Sequence, residues 1–253
     1  MRNVVWFSCG AASAVAAKIA VNTLPDVVVA YCDTSSTEHP DNLRFLADVE
    51  RWIGQPVLRL KSGKYDDIWD VFEKTRYLVG VAGARCTSEL KRAVRVKFER
   101  EDDVQIFGYT IDEQHRSKRF NEQNPEINTR WLLIEHGLTK EDCLGMLWKA
   151  GIEIPTMYKM GYENNNCIGC VKGQAGYWNK IRKDFPDVFD RMAGVERELN
   201  AAINKHYVDG ERIRIFLDEL PEDMGNYKDE PNISCGIVCM SAYEGLDIEV
   251  CEI

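Results

Sequence analysis

Four short runs rich in valine, isoleucine and aromatic residues, NVVWF (3–7), DVVVAYCD (26–33), QPVLRL (55–60) and VQIFGYT (104–110), are separated by helix-length stretches. That alternation constrains the chain more than any other feature. Strands joined by connections of this length cannot form tight hairpins with their sequence neighbours; they pair in parallel, with helices covering both faces of a twisted α/β sheet of Rossmann-like form. Helical patterning falls at 12–23, 41–53, 66–76 and 88–100. From residue 139 the pattern changes. LTKEDCLGMLWKAG reads as a helix capped by Thr139, with Asp142 three positions on and Gly151 at its end. A loop-like IPTMYKMGYENNNCIGC follows, then helices near 174–183 and 185–205, and an acidic tail. The expected organisation is an α/β domain over 1–138 and a helical, cysteine-bearing section over 139–253 packed on it, without repeats.

Between the first strand and the first helix the chain reads FSCGAASAVAAK. A buried strand ending in small residues before a helix leaves backbone amides available to an anion, and Ser8, Gly10 and Ser13 would add hydroxyls and open backbone. A serine cap on a tight turn explains the same residues. Neither GxGxxG nor GK[ST] is present, so the turn is neither a dinucleotide fingerprint nor a Walker loop.

The net charge of −9 is unevenly placed: residues 217–253 hold ten acids against Lys228, and the rest of the chain is neutral. Two basic groups stand out, Arg85 to Arg100 and Arg116 to Arg119, each readable as a phosphate-facing cluster or as a solvated helix face. The acidic tail argues against extended DNA contact on its face. The apolar run at the start is cut by Ser8 and Gly10, so neither a signal peptide nor a membrane span is expected, and the cytoplasm is the expected location. Nine cysteines there point to thiols, metal ligands or redox chemistry in preference to a disulfide framework.

Taken together, SCGAAS, the stretch YCDTSSTEHPDNLRFL, the stretch GYTIDEQHRSKRF and the segment GYENNNCIGCVKGQAGYWNKIRKDFPDVFDRM occur in an order that resembles the PP-loop ATP pyrophosphatases. These are the adenine nucleotide alpha-hydrolases, and the similarity is to the PAPS-reductase-like branch and its sulfurtransferase relatives. That branch includes forms common in phage genomes, which would act in the host cytoplasm. The resemblance implies the HUP/PP-loop form of the Rossmann-like fold and a site for ATP, as its Mg2+ complex, or for an adenylyl nucleotide. It places Ser8, Cys9, Gly10, Ala11, Ala12, Ser13 and Gly108 around the nucleotide, Asp33 and Glu38 near ribose, base or magnesium, and Arg116 on an anionic group. Cys9 stands where that family has a glycine and Ala12 where it has an aspartate. The Glu-Cys-Gly-Leu-His motif of true PAPS reductases is absent.

In the related adenylyl-sulfate reductases a cysteine pair followed by lysine, together with a distant C-x-x-C, holds an iron-sulfur cluster. Cys86, Lys91, Cys167 and Cys170 match that pattern and Thr87 replaces its second cysteine. The resemblance therefore implies a [4Fe-4S] cluster on Cys86, Cys167 and Cys170. Spacing alone equally supports a structural Zn2+ on Cys167, Cys170, Cys235 and Cys239, which leaves Cys86 as a nucleophile among basic neighbours. Cys32, Cys143 and Cys251 read as small buried groups, and the four histidines show no ligand spacing. Trp178 and Phe185 read as the core face of a helix or as stacking partners for a nucleic acid. The function expected is sulfur transfer, in which an acceptor is adenylated and then thiolated, with catalytic roles for Cys86, Lys91 and Arg116. Sulfonucleotide reduction and a binding module without turnover are the alternatives. Expected partners are a nucleotide substrate, a sulfur-donor protein, a nucleic-acid acceptor and a second copy of the chain.

Overall fold

A computed structural model describes residues 1–80, 83–208 and 211–233. In chain order its strands are β1 (Asn3–Phe7), β2 (Val27–Cys32), β3 (Leu58–Leu60), β4 (Val79–Gly80), β5 (Gly83–Ala84), β6 (Val104–Phe107), β7 (Thr129–Arg130), β8 (Asn204–Val208) and β9 (Glu211–Ile215). The helices between 1 and 138 are α1 (Ala11–Thr23), α2 (Asp41–Ile53), α3 (Ile68–Thr75), α4 (Arg85–Thr87), α5 (Ala93–Phe98), α6 (Gln114–Gln123) and α7 (Leu132–Glu135). Beyond them lie α8 (Lys140–Lys149), α9 (Thr156–Lys159), α10 (Ala175–Asp184) and α11 (Pro186–Leu199). A π-helical turn over Ser88–Arg92 joins α4 to α5 as one continuous helix.

The central sheet has the order β3-β2-β1-β6-β7, with every neighbouring pair parallel. Because side chains alternate along a strand, the apolar runs feed two cores at once. Val5, Phe7, Val29, Tyr31 and Ile106 face one side, against α1, α2, α7 and α8. Val4, Trp6, Ala30, Cys32 and Phe107 face the other, against Val94 of α5 and Phe120 of α6. The protein is therefore an α/β fold with a parallel, Rossmann-like sheet covered on both faces. The alanines of α1 suit this position: Ala14, Ala17 and Ala20 are fully buried, and their small side chains let the helix lie close to the sheet without loss of helix propensity.

A third core joins α3 to α10 and α11 through Trp69, Phe72, Trp178, Ile181, Phe189 and Met192. Trp178 has no exposed surface, so its ring is core. Residues from either side of position 138 share these cores: Cys143 and Leu147 of α8 pack with α1, and Tyr65 to Leu90 pack with residues beyond 157.

Several elements differ from the sequence reading. The run 55–60 yields only the three-residue β3, whose Leu58 and Arg59 are exposed, as an edge strand permits. The helix expected over 185–205 stops at Leu199, where Asn200 turns left-handed at φ 50°, and β8 and β9 pair antiparallel after it. Strand β7 is only two residues long and exists by pairing with β6.

Candidate functional site

The chain runs from β1 outward to β2 and β3, then crosses back to place β6 on the other side of β1. Connections leaving β1 and β6 therefore diverge: α1 packs on one face and α6 on the other. A crevice opens at the carboxyl ends of these two strands, the place where open α/β sheets bind ligands. Here it is a cavity of about 690 Å3, lined by Ser8, Gly10, Ala12 and Ser13 of the first turn, by Gly108, Tyr109 and Arg116 of the second, and by Lys91, Lys140, Tyr158 and Asn164 to Asn166, while Cys9 and Ala11 are buried behind it.

The turn after β1 takes its shape from two residues. Cys9 is left-handed at φ 55°, which re-aims the chain, and Gly10 is the N-cap of α1 and brings no side chain to it. The N-cap residue therefore makes no side-chain cap, and among the described residues no carboxylate takes its place. The first amide of α1, Ala11 N–H, makes a long 3.4 Å contact with the Tyr158 hydroxyl. As the acceptor in that contact, the phenol keeps its own hydrogen to donate. Ser8 is exposed, and Ser13 is buried with its hydroxyl donating to the Gly10 carbonyl at 2.9 Å. The Ser8 N–H donates to Ser13 Oγ at 3.1 Å, which closes the turn. Gly108 allows the second loop to touch the first: a Cβ there would lie 2.7 Å from Ser13 Cα and N.

Arg116 is held from three sides. It pairs with Glu113, donates to the Tyr109 hydroxyl at 2.9 Å, and lies over the Tyr109 ring with its Cζ 4.2 Å from the centroid. Tyr109 is in turn stacked on Trp131 at 5.3 Å and 8°. The guanidinium is thus oriented before any ligand arrives. Lys91 reaches the cavity from the π-helical turn, a distortion that re-aims side chains and recurs at functional sites. Lys140 lines the cavity as well, 3.6 Å from the Glu163 carboxylate.

Of the residues singled out in the sequence, Ser8, Gly10, Ala12, Ser13, Lys91, Gly108 and Arg116 come together on the cavity wall. Asp33 and Glu38 do not. Asp33 is turned to Ser35 and Arg59, accepting at 2.6 Å and 3.0 Å. Burial alone would raise its pKa, but those contacts outweigh it and hold the carboxylate below its ordinary range. Glu38 is buried and accepts from Tyr31, Thr34 and Asn42. Cys86 does not line the cavity; it packs, half-buried, at the edge of the third core. Cys9 and Cys32 are held as neutral thiols: burial raises the pKa of both, Cys32 to about 12. Tyr158, Lys140, Tyr109 and Asn165 were not singled out in the sequence. Local signals reached two of them: Tyr109 lies in the stretch GYTIDEQHRSKRF, and Asn165 in the run of three asparagines ahead of C-x-x-C.

Cys167 and Cys170 belong to the same core as Cys86, and the Thr37 hydroxyl donates to Cys167 Sγ at 3.4 Å. Among the described residues, however, no three His, Cys, Asp or Glu side chains are grouped so as to hold a metal ion. Cys235, Cys239 and Cys251 lie outside the described residues. Among the described residues, no helix is long and apolar enough to cross a membrane.

No protein-family model matches the chain. It is similar to an uncharacterized protein, MJ0066, of Methanocaldococcus jannaschii, with 26% identity over 209 residues. The match covers 77% of this chain but only 41% of that protein, so the chain spans about two fifths of its relative.

Proposed function

We propose that the chain is a PP-loop enzyme that binds ATP or a related adenylyl nucleotide in the crevice between β1 and β6 and uses it to activate an acceptor for sulfur transfer. The observation that carries this reading is the glycine-capped start of α1, with no carboxylate cap among the described residues, at the switch point of a parallel sheet. First-turn amides and the positive end of the helix dipole face a cavity large enough for a nucleotide. ATP enters as its magnesium complex. The α1 amides and the Tyr158 hydroxyl hold phosphate oxygens, while Arg116, Lys91 and Lys140 offset the charge that develops on the leaving pyrophosphate. An acceptor oxygen attacks the α-phosphorus, forming a P–O bond and breaking the α–β anhydride. A sulfur nucleophile from a donor protein then attacks the acceptor carbon and displaces AMP. Arg116 and Lys140 are paired with Glu113 and Glu163, so phosphate binding exchanges one anionic partner for another.

A second reading has its own support. The thiol that does line the cavity, Cys32, is held neutral with its pKa near 12, and Cys86 stands apart, which favours a nucleotide-binding module without sulfur chemistry. Calorimetric titration with ATP and with PAPS, followed by assays of pyrophosphate and sulfite release, separates these readings. ATP binding with acceptor-dependent pyrophosphate release is the expected result. ATP binding without release favours the module, sulfite release from PAPS favours reduction, and no heat with either nucleotide overturns the site.

A further inference from the structure

Asn165 lines the cavity, yet it is only 5% exposed. Its Nδ2 donates twice, to the Cys9 carbonyl at 2.7 Å and to Asn42 Oδ1 at 2.7 Å. Those two partners fix which way the amide points. A backbone carbonyl only accepts, so the nitrogen faces Cys9. Asn42 is fixed independently, because its own Nδ2 donates to Glu38 Oε2 at 2.8 Å and it turns its oxygen toward Asn165. Glu38 is anchored in turn by the hydroxyls of Tyr31 at 2.8 Å and Thr34 at 2.6 Å. The chain of contacts runs from a buried carboxylate, through two amides, to the turn that starts α1. At its end the Asn165 Oδ1 is buried without a hydrogen-bond partner among the described residues.

From this geometry we infer that Asn165 is a specificity-determining residue, whose Oδ1 accepts a hydrogen bond from an N–H or O–H group of the bound ligand beside the phosphate seat. The inference rests on the nucleotide reading and deepens it. A neutral acceptor in this position repels a phosphate oxygen, so the group it selects is a donor: a ribose hydroxyl or the amino group of the base. Leaving such an acceptor buried and unmatched is unfavourable, which is how a built polar site rejects a ligand lacking the donor. The same relay gives Glu38 and Asn42 positioning roles, since they set the amide's direction without lining the cavity.

The test is calorimetric titration of the wild-type protein with ATP, 2′-deoxy-ATP, 3′-deoxy-ATP and the triphosphate of purine riboside, which lacks the 6-amino group. One of the three analogues is expected to bind about tenfold or more weakly than ATP, and its identity names the donor. Asn165→Ala, checked for folding by thermal denaturation, is expected to bind ATP more weakly and to reduce that discrimination to within about threefold. Two results overturn the inference alone: analogues that all bind wild type within about twofold of ATP, or discrimination that persists unchanged in Asn165→Ala. If the variant fails to fold, the wild-type series decides by itself. Absence of binding by every nucleotide overturns the nucleotide reading together with this inference.

Discussion

Two helix N-termini in this protein, those of α1 and α10, receive opposite treatment. At α10 the Glu230 carboxylate accepts from the N–H groups of Gly176 and Tyr177, so the chain satisfies its own amides and sets a negative charge on the positive end of the helix. At α1, among the described residues, no carboxylate does the same: the first amide has only the long contact with the neutral Tyr158 hydroxyl, and the turn opens on the cavity. The surrounding cores repeat the contrast. Around α10 most of the polar groups are closed internally: Tyr177 accepts from the Cys170 amide at 2.9 Å and Glu196 from the amides of Ile203 and Leu217, with Trp178 Nε1 and Asn179 Oδ1 the buried atoms of this helix left without a partner among the described residues. Around α1 the polar groups are aligned but incompletely used. On the proposed reading, one half of the molecule is scaffold, and the other keeps amides and an amide oxygen for the nucleotide.

The largest break in that comparison comes from Gly108. A methyl group there meets the backbone of Ser13 at 2.7 Å, which no rotamer change relieves, so β6 and the start of α1 must separate. Gly108→Ala should cost about 3 kcal/mol in denaturant unfolding, the upper range for overpacking, and abolish nucleotide binding. A variant with wild-type stability and ATP affinity would show that the two loops do not meet.

The scaffold half supplies the next two tests. Burial pushes the Glu196 carboxyl up to about 7, outweighing the two backbone amides that favour its charged form. A folded pKa above the unfolded value means that its contribution is complete below about pH 4.5 and is lost as pH rises through 7, by on the order of 2 to 3 kcal/mol. Asp33 and Asp103 are shifted down and act in the opposite sense, losing their contribution only at more acid pH. Unfolding free energies measured between pH 4.5 and 8 should therefore decline through this window, and Glu196→Gln should flatten the slope. Glu230→Ala, which uncaps α10, should cost about 1 to 2 kcal/mol and leave ATP affinity unchanged. If it weakened ATP binding, the separation of scaffold from site would be wrong.

How much of this was legible depended on how local its cause is. Strands β1, β2 and β6 are visible as β-branched runs because both of their faces are buried. The Thr139–Asp142 capping box of α8 is visible because its partners are three residues apart, and the structure forms it. Strand β7 has no such signal, since two residues become a strand only by lying beside β6. The β8–β9 pair carried a signal that the acidic tail concealed: an Asp-Gly dipeptide at 209–210 followed by the alternating ERIRI. The site divides along the same line. The turn after β1 and the Gly108–Arg116 loop announce themselves locally, whereas Tyr158 and Asn165 reach it from about 150 residues away. Asp33 and Glu38 looked available because the sequence shows that a carboxylate exists but not which neighbours occupy it.

The smallest effect sharpens the contrast at a single residue. Cys9 is left-handed at φ 55° and only 1% exposed, while its carbonyl receives the Asn165 amide. Two contributions oppose each other when it is replaced. Glycine relieves a backbone strain worth about 1 kcal/mol and loses a small buried side chain of comparable value, so Cys9→Gly should be nearly neutral. Alanine loses most of the same side chain and keeps the strain, so Cys9→Ala should be less stable by about 1 kcal/mol. The prediction inverts the usual rank of the two residues, because alanine ordinarily stabilises a folded chain relative to glycine. Denaturant midpoints of the two variants at equal m-value decide it. Alanine above glycine would mean that the turn relaxes out of the left-handed region, and with it the direction in which the chain enters α1.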